Sequence, residues 1–178
     1  SGTDGQSIVP IKAANELQRL LGKNGEVILE FGENQASFTF GSTKMITKLT
    51  EGTYPNYRQV IPTSFNKSIE LNTGDIAAAL RRVALVVSDS SPYVKLTFAP
   101  DALHLHAQSN EKGESQESLP INYKGTEVAV SFNPNYLIAP FRAIDTDRVN
   151  FQINDSYSPV AVSGGDGFLY VIMPMRHK

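Results

Sequence analysis

Short runs of β-branched and aromatic residues, separated by turn residues, dominate the chain and predict a fold rich in strands. The predicted strands cover residues 26–31, 36–40, 93–98, 103–107, 149–153, 160–162 and 168–173. Most of these runs are shorter than a typical helix, and Gly, Pro, Asn or Asp residues lie between them. The pattern therefore favours sheets whose strands are connected by tight turns.

Three segments instead repeat apolar residues at helical spacing, which predicts amphipathic helices. They cover residues 12–21, 74–86 and 134–143. Thr73 is a suitable N-cap for the second helix, and Asn133 for the third. Pro134 occupies the first helical position, where its missing N–H is tolerated. Because Pro140 falls inside the third helix, we expect this helix to be short or kinked.

The helices recur at a regular interval, and each follows a short predicted strand. These strands cover residues 7–11, 67–71 and 127–132, so they begin about 60 residues apart. Roughly three strands follow each helix, which gives three β-α-β-β-β units. We predict an α+β fold in which the helices lie on one face of antiparallel sheets. Two such units make one domain, so three indicate a fragment of a longer protein.

Composition narrows the possible functions. The 178 residues are 40% hydrophobic and 19% charged, as expected for a globular protein. No apolar run approaches the ~20 residues that span a bilayer, and the N-terminus shows no signal-peptide pattern. The chain has no cysteine, which excludes disulfides and thiolate chemistry. A net charge of −2 excludes a uniformly basic nucleic-acid-coating protein, but it allows a local basic face.

Few residues suggest catalysis or metal binding. His104 and His106 share one face of a strand, but a structural or surface role is favoured because a third ligand is missing. Asp145 and Asp147 flank a turn, and this position favours solvent-exposed side chains over a role in acid–base chemistry. The glycine-rich residues 164–167 lie between two predicted strands, so they indicate a hairpin and not a phosphate-binding loop. We therefore predict neither an enzyme active site nor a metal site.

Basic side chains lie on the polar sides of all three predicted helices. They are Lys12, Arg19, Lys23, Arg81, Arg82 and Arg142. On one helix alone, such residues indicate an ordinary solvated face. If the repeat is real, the three helices share one side of the sheets, and their charges combine. Such a face would bind a polyanion weakly, through salt-sensitive phosphate contacts without base recognition.

The C-terminal residues 170–176 read Tyr-Val-Ile-Met-Pro-Met-Arg. Methionine is adaptable and frequent on surfaces that accept varied partners. The segment is equally consistent with a last core strand that has a frayed end, and composition alone leaves both interpretations open.

Two long segments resemble those of the bacterial sliding clamp, the beta subunit of DNA polymerase III. The first comprises residues 38–41 (Phe-Thr-Phe-Gly), 49–57 (Leu-Thr-Glu-Gly-Thr-Tyr-Pro-Asn-Tyr) and 60–62 (Val-Ile-Pro); the second is residues 170–176. Residues 132–137 (Phe-Asn-Pro-Asn-Tyr-Leu) lie between them where the family has a similar stretch. The resemblance extends from about residue 7 to residue 176.

The resemblance implies a domain organisation. Clamp subunits have three domains of two units each, and two subunits close into a ring around duplex DNA. Residues 7–62 would be the second half of the middle domain and residues 63–178 the third domain. Residues 1–6 would be either a cloning remnant or a truncated middle-domain segment. Without a first domain, we do not expect this fragment to close a ring by the family's route.

The resemblance also implies a non-catalytic protein of the bacterial cytoplasm that needs no cofactor. Its partners would be duplex DNA, contacted non-specifically by the basic helix faces inside the ring, and DNA polymerase and clamp-loader subunits, bound through clamp-binding peptides. Leu85 and Val86 match a position at the interface between subunits of the homodimeric ring. The peptide pocket would comprise Pro55, Gln59, Val60, Asn133, Tyr136, Tyr157, Pro159, Val171, Ile172, Met173, Pro174, Met175 and Arg176. Some members have a basic residue where this chain has Gln59.

One alternative belongs to a different class, a β-rich module that binds a small ligand or a carbohydrate and has no role on DNA. The two hypotheses differ in the residues expected on the exposed face. A lectin-like module should expose aromatic side chains there, whereas a clamp should expose Lys and Arg.

Overall fold

The computed structural model describes residues 6–165 and 167–176 of the chain. They form two compact units, here called the N-terminal unit (Ser1–Asn56) and the C-terminal unit (Tyr57–Lys178). The sequence placed this division slightly later, between residues 62 and 63. No helix within the described ranges is long and apolar enough to cross a membrane.

The N-terminal unit contains one helix and one antiparallel sheet of three strands. Its elements are α1 (Ile11–Leu20), β1 (Ile28–Phe31), β2 (Gln35–Phe40) and β3 (Thr43–Lys48), and the strand order is β1-β2-β3. Ala36 and Phe38 on β2 are buried, and the ring of Phe31 meets that of Phe38 edge-on at 6.4 Å. These residues share one face of the sheet, and Leu29 lies on the same face because it pairs with Phe38.

The C-terminal unit contains two four-stranded antiparallel sheets and two helices. Its elements are β4 (Lys67–Asn72), α2 (Thr73–Val83), β5 (Val94–Ala99), β6 (Ala102–Ser109), β7 (Gly113–Pro120), β8 (Val128–Phe132), α3 (Pro134–Ile138), β9 (Arg148–Ile153), β10 (Val160–Ser163) and β11 (Leu169–Ile172). Three short 3₁₀ turns cover Tyr57–Val60, Ala84–Val86 and Ala139–Arg142. The strand orders are β11-β10-β9-β4 and β7-β6-β5-β8.

The two repeats of the C-terminal unit exchange their first strands. Strand β4 precedes α2 but pairs with β9, which follows α3; β8 precedes α3 but pairs with β5, which follows α2. Each sheet therefore contains three strands of one repeat and one strand of the other. This exchange joins the two repeats into a single domain.

One hydrophobic core fills the C-terminal unit. Its members run from Ile69 to Ile172, and Phe98, Phe132 and Phe151 are among the largest fully buried side chains. The rings of Phe98 and Phe151 lie 5.8 Å apart, one from each sheet. Alternation along the strands explains this core, because every second side chain points inward.

Side chains cap the starts of α2 and α3, but one of the two predicted caps needs correction. The prediction of Thr73 as the N-cap of α2 is wrong: the Asn72 side chain accepts the hydrogen bond from the Asp75 N–H at 3.0 Å, and Thr73 is the first helical residue. The predicted cap of α3 is confirmed, since the Asn133 side chain accepts from the Asn135 N–H at 2.9 Å. As expected, α3 is short and continues as a 3₁₀ turn that contains Pro140.

Three strand predictions need correction. A strand over residues 7–11 is not formed: Ile8 makes an isolated bridge to Thr50, and Ile11 already begins α1. In the C-terminal unit, the equivalent strands β4 and β8 form because the other repeat supplies a pairing edge. Strands β3 and β7 were not among the predicted runs, because their charged and hydroxyl residues carry little hydrophobic signal. Both lie at sheet edges, where polar residues are common.

Candidate functional site

The C-terminal segment leaves one sheet of the C-terminal unit and attaches to the other. Ile172 ends β11 and is buried opposite Val160. Met173, the next residue, is 59% exposed. The Met175 N–H then donates a 2.7 Å hydrogen bond to the carbonyl of Ser131 on β8. The segment therefore combines a strand that joins the core with an exposed methionine, and a role of that methionine in binding partners stays a prediction.

Helix α3 contributes a second exposed apolar group near this segment. Tyr136 is 64% exposed, and its carbonyl accepts a 3.1 Å hydrogen bond from the Tyr170 hydroxyl of β11. Burial raises the pKa of Tyr170, and the nearby Tyr136 contributes in the same direction. The Tyr170 hydroxyl therefore stays protonated at neutral pH and connects β11 to α3. Asn133 lies at the start of the same helix, where its side chain is used for capping.

The loop between β9 and β10 presents Tyr157. The carboxylate of Asp155 accepts hydrogen bonds from the Tyr157 N–H at 2.8 Å, the Ser158 N–H at 2.7 Å and the Ser158 hydroxyl at 2.7 Å. These bonds, the one from Tyr157 first, lower the pKa of Asp155. The turn leaves Tyr157 63% exposed and leads through Pro159 into β10. Sequence analysis missed Asp155, although an Asp followed by Ser residues is typical of such turns.

Strand pairing and hydrogen bonds thus connect several of the predicted pocket residues, those on β11, on α3 and around Met175. Val171 pairs with Ala161 across the β10–β11 ladder, one pair before Ile172 meets Val160. Gln59 and Val60 lie in the 3₁₀ turn Tyr57–Val60 and are exposed. Pro174 and Met175 are half-buried, and Arg176 is exposed. Pro55 belongs to the N-terminal unit. The peptide-binding role of all these residues stays a prediction.

The predicted DNA-facing residues are exposed, and two of them form ion pairs. The prediction that Lys23 lies on the first helix is wrong, because α1 ends at Leu20. Arg82 on α2 contacts both carboxylate oxygens of Glu117 on β7, with its Nη2 at 2.6 Å from Oε2, and this contact lowers the pKa of Glu117. Arg19 on α1 pairs with Glu16 one turn earlier. Sequence spacing could reveal the second pair but not the first, which joins residues of different elements. Lys12, Lys23, Arg81 and Arg142 are also exposed.

The predicted subunit-contact residues differ in exposure. Leu85 is 73% exposed, whereas Val86 is half-buried and packs against the core. Both lie in the 3₁₀ turn that follows α2. The subunit-contact role of both residues stays a prediction.

The histidines and the glycine-rich segment lie as the sequence predicted. His104 and His106 lie on the outer side of β6, and Nε2 of His106 is 3.0 Å from the Glu114 carboxylate. Asp145 and Asp147 are exposed in the turn before β9. Residues 164–167 connect β10 to β11, although Asp166 and the third histidine, His177, lie outside the described residues. The ranges that the structure describes contain no cluster of acidic or His side chains suited to a metal ion.

Comparison with solved structures identifies the class of protein. The fold matches the DNA polymerase sliding clamp of Pseudomonas aeruginosa with a TM-score of 0.89 and 31% identity, covering 97% of this chain and 48% of that one. A sliding clamp of Bartonella birtlesii, solved bound to griselimycin, matches with a TM-score of 0.89 and 31% identity over 96% of this chain and 47% of that one. The chain therefore has the fold of a sliding clamp.

Comparison of sequences identifies the family. Residues 58–176 match the C-terminal domain of the DNA polymerase III beta subunit, and residues 1–56 match its central domain. The beta sliding clamp of Chlamydia pneumoniae is 33% identical over 172 residues, which cover 97% of this chain and 47% of that protein. The chain belongs to the DNA polymerase III beta subunit family, which confirms the family and the α+β clamp fold expected from the sequence.

The chain spans about half the length of the curated relatives that it matches. Residues 1–56 correspond to the central domain of this family and residues 58–176 to its C-terminal domain. The comparisons lend no support to the alternative of a carbohydrate-binding module.

Proposed function

We propose that this chain is part of a DNA sliding clamp, a non-catalytic processivity factor of the bacterial cytoplasm. The intact protein would encircle duplex DNA as a homodimeric ring and tether DNA polymerase and clamp-loader subunits. The observation that carries this proposal is the match of two consecutive clamp domain models to residues 1–56 and 58–176. Within this part of the clamp, the C-terminal unit would bind partner peptides.

The exposed side chains near the C-terminal segment support peptide binding. Met173, Tyr136 and Tyr157 expose 59%, 64% and 63% of their surface. Tyr136 lies on α3, the Tyr157 N–H is hydrogen bonded to Asp155, and Met173 directly follows Ile172, the last paired residue of β11. Large apolar and aromatic side chains on rigid backbone are typical anchors for a bound peptide. The adaptable methionines would accommodate different partner sequences.

The exposed basic side chains would contact DNA through phosphates. Arg81 and Arg142 expose their charges, whereas Arg82 is bound to Glu117. Such contacts are independent of base sequence and weaken with salt. They would permit sliding, and we expect this chain to bind DNA weakly.

Fluorescence polarisation of a labelled clamp-binding peptide, which contains Gln followed by Leu and Phe, tests the peptide-binding proposal. The peptide should bind saturably, and a scrambled peptide should not. Met173→Ala should raise the Kd about tenfold, the effect expected of one anchor residue. The control Leu169→Ala alters an exposed apolar residue at the other end of β11 and should leave the Kd unchanged.

Two outcomes would contradict peptide binding at this surface. One is equal affinity for the intended and scrambled peptides. The other is equal affinity of the Met173→Ala and Leu169→Ala variants, which would move the binding surface away from the C-terminal segment.

A further inference from the structure

The loop between β9 and β10 is attached to the segment before β4 by one side chain. Lys67 pairs with Ile153 at the end of the β4–β9 ladder, and Asn154 is the next residue. The Asn154 side-chain oxygen accepts a 2.8 Å hydrogen bond from the Asn66 N–H, and the side-chain amide donates one of 3.1 Å to the Ser64 carbonyl. This side chain therefore extends the ladder by two bonds and fixes the first residue of the loop.

A lysine adds two further interactions at the same place. The Lys67 Nζ donates to the Asn154 carbonyl at 3.3 Å. Hydrogen bonds from the Tyr157 N–H and from Ser158 lower the pKa of Asp155, and the charge of Lys67 adds to this effect. The Asp155 carboxylate is therefore ionised at neutral pH, and both of its oxygens act as acceptors.

The Asp155 carboxylate fixes the backbone on both sides of the Tyr157 Cα atom. Its Oδ1 accepts hydrogen bonds from the Tyr157 N–H at 2.8 Å and from the Ser158 N–H at 2.7 Å. The first N–H precedes this Cα atom along the chain, and the second follows it. Its Oδ2 accepts from the Ser158 hydroxyl at 2.7 Å, which holds the carboxylate in the same turn. The direction in which the Tyr157 side chain leaves the backbone is therefore set by Asp155.

Core packing contributes little to the orientation of Tyr157. The side chain is 63% exposed, and β10 begins only at Val160. The position of the ring therefore depends on its own backbone, which Asn154 and Asp155 hold. An aromatic anchor that is oriented before a partner arrives loses less conformational freedom on binding.

We propose that Asn154 and Asp155 are positioning residues for peptide binding, in which Asp155 orients the ring of Tyr157 and Asn154 holds the loop on the segment before β4. Both assignments rest on the proposed peptide-binding function. The two residues act through Tyr157 and not by contacting the peptide, because their polar atoms are already used within the loop and by residues 64–67.

Fluorescence polarisation with the labelled peptide that contains Gln followed by Leu and Phe tests the role of Asp155. Tyr157→Ala should raise the Kd about tenfold, and Asp155→Ala, which removes all three hydrogen bonds, about fivefold. The control Asp145→Ala removes the same charge from an exposed position in the turn before β9 and should leave the Kd unchanged.

Two conservative variants separate the geometry of the turn from its charge. Asp155→Asn keeps an oxygen for both backbone N–H groups and gains an amide that can donate to the Ser158 hydroxyl, so it should bind the peptide like the unmodified chain. Asp155→Glu keeps the charge but is one methylene longer, so it should lose affinity as Asp155→Ala does. A role of the charge alone would give the opposite order.

A double variant separates the orientation of Tyr157 from a general loss of structure. In the Tyr157→Ala background, Asp155→Ala should raise the Kd by less than about twofold, because the ring through which it acts is missing. A variant that merely destabilised the unit would weaken binding equally in both backgrounds.

Hydrogen exchange together with peptide binding tests the role of Asn154. Asn154→Ala removes both side-chain bonds, so it should speed up exchange of the Asn66 amide and raise the Kd about twofold to threefold. Asn150→Ala is the matched control: Asn150 lies on β9 between two buried residues and is itself only half-buried, and this variant should change neither value.

The possible failures are distinguishable. If the unmodified chain shows no saturable binding, the peptide-binding function is overturned and both positioning roles with it. If that chain binds but Asp155→Ala has an unchanged Kd, only the role of Asp155 is overturned. Equal losses with and without Tyr157 would show that Asp155 does not act through this ring. An unchanged Kd of Asn154→Ala would overturn the role of Asn154.

Discussion

The C-terminal unit contains two β-α-β-β-β repeats, whereas the N-terminal unit contains one helix followed by three strands, and the two units reach different degrees of burial. Helix α2 of the C-terminal unit buries six residues, whereas α1 of the N-terminal unit buries only Ala13. The difference does not arise from length, because the helices have 11 and 10 residues. Helix α2 packs on β6 and β7 of its own repeat and also contacts α3 of the other repeat.

This comparison indicates that the folding unit of the architecture is a pair of repeats. In the described part of the N-terminal unit, the outer edge of β1 is unpaired, and the apolar side chains of Leu29 and Phe31 are exposed. Pairing removes both deficits, because it converts exposed apolar area into core and unpaired backbone into ladder hydrogen bonds. We therefore expect most of the stability of the chain to reside in the C-terminal unit.

Core truncation should give the largest contrast between the units. Phe151 is fully buried against Phe98 and Phe141, so Phe151→Ala should lower the free energy of unfolding of the C-terminal unit by about 3–5 kcal/mol. Ile46 of the N-terminal unit is 60% exposed, and Ile46→Ala should change stability by no more than about 0.5 kcal/mol. Urea unfolding followed by circular dichroism, with hydrogen exchange to assign each unit, measures both values. Similar losses would contradict the proposed difference in burial.

Changes at the helix N-caps should give an intermediate difference between the two units. Asn72→Ala removes the side-chain acceptor of α2 and should cost about 0.5–2 kcal/mol, whereas Asn72→Asp should retain the cap. Helix α1 begins at Pro10 without a side-chain cap. Pro10→Asn should slow amide exchange in α1, although loss of the proline restriction offsets part of this gain. Hydrogen exchange of the two helices measures both effects. Faster exchange in α1 of the Pro10→Asn variant would show that a side-chain cap alone does not stabilise this helix.

Acidification should give the smallest difference in stability between the two units. Hydrogen bonds from Ser37, and then from Lys44, lower the pKa of Glu30 in the N-terminal unit, and Arg82 lowers the pKa of Glu117 in the C-terminal unit. Because the folded pKa lies below the unfolded value of about 4.3, these contacts stabilise each unit above that pH. The stabilisation is lost as pH falls through the folded pKa.

The N-terminal unit should respond more to acid, because Glu30 contacts β2 and β3 and few buried contacts compensate. Hydrogen exchange of β2 at about pH 6 and about pH 3.5 measures the response, after correction for the intrinsic pH dependence of exchange. Glu30→Gln should reduce it, whereas Glu33→Gln, which alters an exposed residue of the β1–β2 turn, should not. An equal response of both variants would assign the acid sensitivity to other groups.

Local patterns predicted much of this molecule. Apolar spacing located the three helices to within a few residues, and Asn133 and Pro134 marked the start of α3 correctly. The motifs at residues 49–57 and 170–176 were sufficient to recognise the family. Strands β3 and β7 escaped prediction because edge strands need little hydrophobicity.

The candidate site was predicted less completely. The exposed side chains of Tyr136, Tyr157 and Met173 were among the residues named from the sequence, but the turn built on Asp155 and the bond from Met175 to Ser131 were not predicted. The second contact joins segments more than 40 residues apart, and neither residue carries a local sign of it. The pairing of Arg82 with Glu117 was not predicted, for the same reason.

Helix positions, turn chemistry and family membership were readable from the chain because they depend on residues close together in sequence. Strand partnership was not readable, because one apolar alternating segment can pair with any complementary edge. Residues 67–72 form a strand beside β9, and residues 128–132 form one beside β5, whereas the similar residues 7–11 have a single bridge to Thr50 and then enter a helix. The edge that each segment meets after the chain has folded decides whether its extended pattern becomes part of a sheet.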